Sequence, residues 1–253
     1  MQLPKGKKIY FASDNHLGAP TQAKSAPRER LFVQWLDEIK EDAAVIFLLG
    51  DLFDFWFEYK TVVPKGFVRV LGKLAELADA GIPIHFFVGN HDMWMLDYLE
   101  KQIGIVVHYQ PKEFSYNKKT FFIGHGDGLG PNDKGYKRMK KVFTSRFFQW
   151  CFRWLHPDIG MRLGHYLSVK NKLISGEEDA VFLGEENEWL VHYANRKQKE
   201  KKRDYYIFGH RHIPLDISIE PNARYINLGD WISHYTYGVF DGEQLKLNTW
   251  KPA

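Results

Sequence analysis

The sequence predicts a layered α/β fold, and three observations carry that expectation. Short runs of β-branched and aromatic residues alternate with segments of helical period; the alternation gives way to a purely helical stretch over 134–200; strand-type runs then return. At 253 residues, 44% apolar and 26% charged, the chain can bury a substantial core as one large domain or a domain with a sizeable insertion.

The first strand is expected at Ile9-Tyr10-Phe11-Ala12. Arg28 to Glu41 then places Leu31, Trp35 and Ile39 at helical spacing, and Val45-Ile46-Phe47-Leu48 forms the second strand. Gly66 to Ala80 puts Phe67, Val70, Leu71, Leu74 and Leu77 on one helix face, which Gly81-Ile82-Pro83 terminates before a third strand at Ile84–Val88. A fourth follows at Phe121–Ile123. In the helical stretch, Met139, Phe143, Phe147, Trp150 and Trp154 share one face, flanked by Phe148, Phe152 and Leu155. Strands resume at 205–208, 214–219, 224–228, 237–240 and 245–249. The domain organisation expected is a core of 1–133 and 201–253 interrupted by a helical insertion at 134–200.

Bulk properties exclude several classes. A net charge of +4 is too small to imply a nucleic-acid partner. The single cysteine, Cys151, rules out an intramolecular disulfide and suits a reducing compartment. No apolar stretch reaches the roughly 18 residues of a membrane span. The opening MQLPKGKKIYFASD lacks an apolar segment before a cleavage site, so a cytoplasmic location is expected. Nothing in the sequence specifies an oligomeric state. Between Tyr136 and Arg162, basic residues interleave with Trp and Phe, and Asp158 is the sole acid. That helix either packs both faces within the fold or gives part of its apolar surface to an acyl groove or a membrane interface.

The chemistry lies where strands run out. The ends carry Asp14-Asn15-His16, Gly50-Asp51, Gly89-Asn90-His91-Asp92, Gly124-His125-Gly126-Asp127 and Gly209-His210-Arg211-His212. Any one cluster alone is more often a turn or cap. Five together, converging on one sheet edge, supply more oxygen and imidazole donors than one ion needs, which points to two divalent metals. Mixed N/O ligation favours Mn²⁺, with Fe²⁺ and Zn²⁺ the other candidates. Asp51 stands without another ligand nearby and is the candidate bridge. Such a pair lowers the pKa of a shared water and needs no serine or cysteine nucleophile. His91, beside Asn90, is placed to act as general acid, with Asp92 to orient it and Asp127 to back a ligating histidine. His85 and His108 fall in strand-like runs and are expected to be structural, while His165 is a candidate for a substrate cleft.

The combination D-x-H, G-D, G-N-H-D, G-H-G-D and G-H-x-H resembles the five-block pattern of the calcineurin-like metallophosphoesterases. The resemblance implies a four-layer αββα sandwich with a helical lid insertion and a dinuclear centre. One ion would take Asp14, His16, Asp51 and His212, the other Asp51, Asn90, His125 and His210. Within that superfamily, Ser13–Gly18, Gly50–Trp56 and His125–Leu129 are similar to the lipid A pathway pyrophosphatases. That similarity implies hydrolysis of UDP-2,3-diacylglucosamine to UMP and 2,3-diacylglucosamine 1-phosphate. It also implies a lid at 134–200 that holds acyl chains, and peripheral contact with the cytoplasmic face of the inner membrane. Asn90, His91, Asp133, Tyr136, Lys170 and Lys172 match its substrate-contacting positions. Two residues depart from the pattern: His91 stands where the proteobacterial form has arginine, and Arg211 where threonine is common. The rival expectations are a phosphodiesterase or nucleotide pyrophosphatase for soluble substrates, and a non-catalytic scaffold of the same fold.

Overall fold

Period-two alternation sets the layers. In β1 (Lys8–Ala12), Ile9 and Phe11 face one way and Tyr10 and Ala12 the other, and all four are buried, so both faces of the strand are covered. The computed structural model describes residues 1–130, 134–179, 181–182 and 184–252, with 134 and 169–179 described as backbone only. β1 pairs in parallel with β2 (Ala43–Leu48), β2 with β3 (Ile84–Phe87) and β3 with β4 (Val106–His108). Antiparallel β10 (Thr236–Phe240) and β11 (Leu245–Thr249) complete a sheet of order β11-β10-β1-β2-β3-β4. The second sheet runs β5-β6-β7-β9-β8, from β5 (Lys112–Tyr116), β6 (Lys119–Ile123), β7 (Tyr205–Phe208), β8 (Pro214–Ile219) and β9 (Ala223–Leu228).

The sheets face each other through one core cluster, where Ile9, Phe11, Phe47 and Phe87 meet Phe121, Ile123 and Ile207. Helices α1 (Gln22–Ile39) and α2 (Val68–Asp79) cover the outer face of the first sheet, setting Phe32, Trp35, Val70 and Leu74 against Tyr10, Ile46 and Phe86. Helix α6 (Trp189–Glu200) covers the second, through Leu190, Val191 and Ala194 against Tyr206 and Phe208. The result is the expected αββα sandwich. Its fourth layer, α6, comes from the end of the stretch expected as an insertion. Among the described residues, helices α3 (Lys134–Phe143), α4 (Arg146–Arg153) and α5 (Pro157–Asp179) contribute no side chain to the three core clusters.

Local chemistry explains where the elements depart from the periodicity. α1 starts before Arg28 because the Thr21 hydroxyl caps it, accepting from the Lys24 amide at 3.2 Å. α2 begins after Phe67, which offers no side-chain cap; buried Glu29 of α1 accepts from the Arg69 and Val70 amides instead. Strand β5 went unanticipated because it is an edge strand, only partly buried and without an apolar run. The helix expected through Met139–Trp154 is two helices. Thr144 bonds back to the Lys140 carbonyl through its hydroxyl (2.7 Å), and Ser145 is extended. His85 and His108 bond each other at 3.0 Å within the sheet, as structural residues. Among the described residues no helix is long and apolar enough to cross a membrane.

Candidate dinuclear metal centre

Five loops leave the carboxyl ends of β1, β2, β3, β6 and β7, and their backbones interlock. The Asp14 and His16 amides donate to the Gly50 and Asp51 carbonyls (3.1 and 2.8 Å), and the Gly209 amide donates to the His125 carbonyl (2.9 Å). The two sheets are joined at this edge by the His210 amide, which donates to Asp14 Oδ2 at 2.9 Å. The tightness shows in the backbone. Asp14, His16, Asp51, His210 and His212 all have positive φ, between 44° and 71°. Each such non-glycine residue costs roughly 1–3 kcal/mol, and strain of this kind gathers where side chains must converge.

The donors do converge. Asp14 Oδ2 accepts from the Ser13 hydroxyl (2.5 Å) and the His210 amide, while its fully buried Oδ1 has no hydrogen-bond partner among the described residues. That oxygen faces His212 Nε2 at 3.4 Å and His16 Nε2 at 3.9 Å, and the two imidazole nitrogens lie 3.1 Å apart. Asp51 Oδ2 lies 3.6 Å from His16 Nε2 and 3.4 Å from His125 Nε2, between this group and the next. Asn90 Oδ1 is 3.0 Å from His125 Nε2 and 3.0 Å from His210 Nδ1. All seven residues expected as ligands therefore share one cluster, in two donor sets with Asp51 common to both. An orphaned buried carboxylate oxygen beside two facing imidazole nitrogens fits a divalent cation.

Partners behind the imidazoles aim them. His125 Nδ1 donates to the Leu49 carbonyl at 2.6 Å, leaving Nε2 as the nitrogen that faces the cluster. His16 Nδ1 is 3.3 Å from Asp54 Oδ1, and His212 Nδ1 is 3.6 Å from Asp230 Oδ2. Burial alone would lower the pKa of His125, but adjacent Asp51 outweighs it and raises it to about 10; burial and charged His125 push His210 down to about 3. A cation bound here would take over the balancing of the Asp51 charge.

Residues 7–214 match the calcineurin-like phosphoesterase family. The chain belongs to that family. UDP-2,3-diacylglucosamine hydrolase of Porphyromonas gingivalis is 39% identical over 255 residues, covering 96% of this chain and 97% of that protein. The hydrolase of the same name from Actinobacillus succinogenes is 27% identical over 226 residues, covering 88% and 92%. A solved phosphoesterase from E. coli superimposes with a TM-score of 0.48 at 16% identity, over 96% of this chain and 92% of that one.

Several residues of this phosphoesterase act differently from expectation. Asp92 does not reach the His91 imidazole. It accepts from the Gly89 amide at 2.7 Å and the Leu52 amide at 3.0 Å, bracing the loops around Asp51. His91 Nδ1 is held instead by the Asp54 carbonyl and the Ser168 hydroxyl, each at 3.0 Å. Asp127 backs no histidine by hydrogen bond; Oδ2 accepts from Tyr136 and Lys140 at 2.5 Å each. His165 bonds the Pro20 carbonyl (3.2 Å). Arg211 pairs bidentately with Glu188, tying the last ligand loop to the start of α6. Asp133 lies outside the described residues, and so do the side chains of Lys170 and Lys172, whose backbone is in α5. Sequence reasoning missed Asp54, Asp230 and Ser168. Asp230 had a legible signal, since Gly229-Asp230 follows β9 as Gly50-Asp51 follows β2.

Beside the cluster lies a cavity of about 260 Å³. Phe55 and Trp94 line it from the core, and Met139, Phe143, Phe152 and Leu167 line it from α3–α5. Asn90 and His91 form its polar end, with Tyr136 on the wall.

Glycine also permits a close approach beside Asp51. A Cβ on Gly89 would overlap Asp51 Oδ1 and lie 2.7 Å from the Asp51 amide nitrogen. Gly89→Ala is therefore expected to displace Asp51 and weaken Mn²⁺ binding at least tenfold by titration calorimetry; wild-type affinity in the variant would contradict the packing.

Proposed function

We propose that this phosphoesterase hydrolyses the pyrophosphate of UDP-2,3-diacylglucosamine to UMP and 2,3-diacylglucosamine 1-phosphate. Water adds to one phosphorus and the P–O–P linkage opens. The observation that carries the reading is the apolar cavity whose polar end is Asn90 and His91, because it places room for acyl chains against the donor cluster. The activity in the names of the two hydrolase relatives supports it. At about 0.8 kcal/mol per buried CH₂, chains in that cavity favour a lipid substrate over a soluble one.

Asp14, His16, Asp51 and His212 would hold one divalent ion, and Asp51, Asn90, His125 and His210 the other, with Mn²⁺ first among the candidates. When bound, the pair supplies a water of lowered pKa and neutralises charge at phosphorus. The protein's own groups do the rest. Nδ1 of His91 is held by Asp54 and Ser168, so Nε2 is the nitrogen that gives a proton to the leaving phosphate or bonds a phosphoryl oxygen. Asp133, Tyr136, Lys170 and Lys172 are assigned to substrate contact, with Asn90 and His91.

Helices α3–α5 of the 134–200 segment act as the lid. On α4 and at its C-cap, Phe147, Trp150 and Trp154 are 64%, 55% and 76% exposed beside Arg146 and Arg153, a surface suited to peripheral contact with the cytoplasmic face of the inner membrane. Trp150→Asp is expected to cut turnover of the lipid substrate about tenfold while sparing bis(p-nitrophenyl) phosphate, the cost of removing one interfacial aromatic anchor. Equal losses on both would make the surface purely structural.

The deciding assay is UMP release from UDP-2,3-diacylglucosamine in detergent with Mn²⁺. UMP that disappears on addition of EDTA is the expected result. Cleavage of soluble diesters without UMP release would assign the protein to soluble substrates instead.

A further inference from the structure

Helix α5 reaches the donor cluster at one residue that the reaction above uses only as a support, Ser168. Gly160, Gly164 and Ser168 share one face of α5, at i, i+4 and i+8. A Cβ on Gly164 would run into the Phe55 ring, and one on Gly160 into the Tyr59 hydroxyl, so the helix backbone lies directly on the 55–59 segment. One turn further on, buried Ser168 donates to Asp54 Oδ2 at 2.8 Å and meets His91 Nδ1 at 3.0 Å.

The bonds fix a proton. The Asp54 carbonyl can only accept, so the His91 nitrogen 3.0 Å from it carries the hydrogen. The Ser168 hydroxyl spends its own proton on Asp54 and accepts from the same N–H. Asp54 also faces His16 Nδ1 through its other carboxylate oxygen, at 3.3 Å. Asp54 thus joins α5 and a proposed metal ligand through its carboxylate and His91 through its carbonyl. Gly164, Leu167 and Ser168 of α5 also border the apolar cavity, so the helix that covers the acyl chains is the helix that holds the imidazole.

We propose that Ser168 is a positioning residue for His91, so that the site is fully assembled only when α5 is docked on the core. This rests on the hydrolase reading above, in which His91 touches the reacting phosphate. The consequence is that the lid governs the chemical step as well as lipid affinity.

A double-mutant cycle on bis(p-nitrophenyl) phosphate with Mn²⁺ tests it, because that substrate has no acyl chain to bind. Ser168→Ala is expected to lower kcat about tenfold, the scale of one lost hydrogen bond, with KM and Mn²⁺ content unchanged. In a His91→Ala background the same change is expected to do nothing further, since no imidazole remains to be held. An equal loss in both backgrounds would overturn the proposal. So would a Ser168→Ala variant at full rate on the diester with a raised KM for the glycolipid, which would make Ser168 a substrate contact. Wild-type protein that cleaves the diester yet releases no UMP would remove the substrate reading and leave the cycle to decide Ser168.

Discussion

Asp51→Ala is expected to lose both metal ions and to lower turnover by at least about a thousandfold. Its Oδ2 lies close to both donor sets, 3.6 Å from His16 Nε2 and 3.4 Å from His125 Nε2. Its Oδ1 accepts from the His91 amide at 2.9 Å and so also holds the loop that carries Asn90. Without it, Asp14 would be the one carboxylate left among the proposed ligands, and the loop after β3 would lose one of its anchors. Metal analysis of the purified variant and a diester assay at saturating Mn²⁺ read the two losses together. Retained activity with Mn²⁺ would remove Asp51 from the bridging role.

His91→Ala is expected to lower kcat by about a hundred- to ten-thousandfold while both ions stay bound, the range for a lost general acid. The geometry makes this a sharp test, because His91 can also be grouped with His16 and Asp51 as a set of donors within 4.8 Å of one another. Its Nδ1 is engaged by Asp54 and Ser168, which leaves Nε2 to face the cluster, and the role proposed for that nitrogen is proton transfer. Metal analysis separates the alternatives: a variant short of one ion would make His91 a ligand.

Much of this was legible in the sequence for a physical reason. A ligand set that must converge is most simply placed at strand ends, and strand ends are visible as apolar runs that stop at Gly, Asp, Asn or His. The candidate donors and a layered α/β fold follow from that pattern, while the αββα order was implied by the resemblance to the phosphoesterases. Contacts that depend on backbone groups were not legible. Asp92 looks like a partner for its neighbour His91, yet its oxygens go to the Gly89 and Leu52 amides, which carry no side-chain signature. Ser168 was invisible because it meets His91 across 77 residues of chain. The helix expected through Met139–Trp154 looks continuous because apolar spacing survives the break at Thr144 and Ser145, where hydroxyl bonding competes with the helix. Likewise α6 has helical character like α3–α5 but buries its apolar face on the second sheet, which periodicity alone cannot distinguish.

The most direct test of the proposed centre is anomalous diffraction from crystals grown with Mn²⁺. The account predicts two peaks on either side of Asp51, one bounded by Asp14, His16 and His212 and the other by Asn90, His125 and His210. A single peak, or none among these seven side chains, would contradict it.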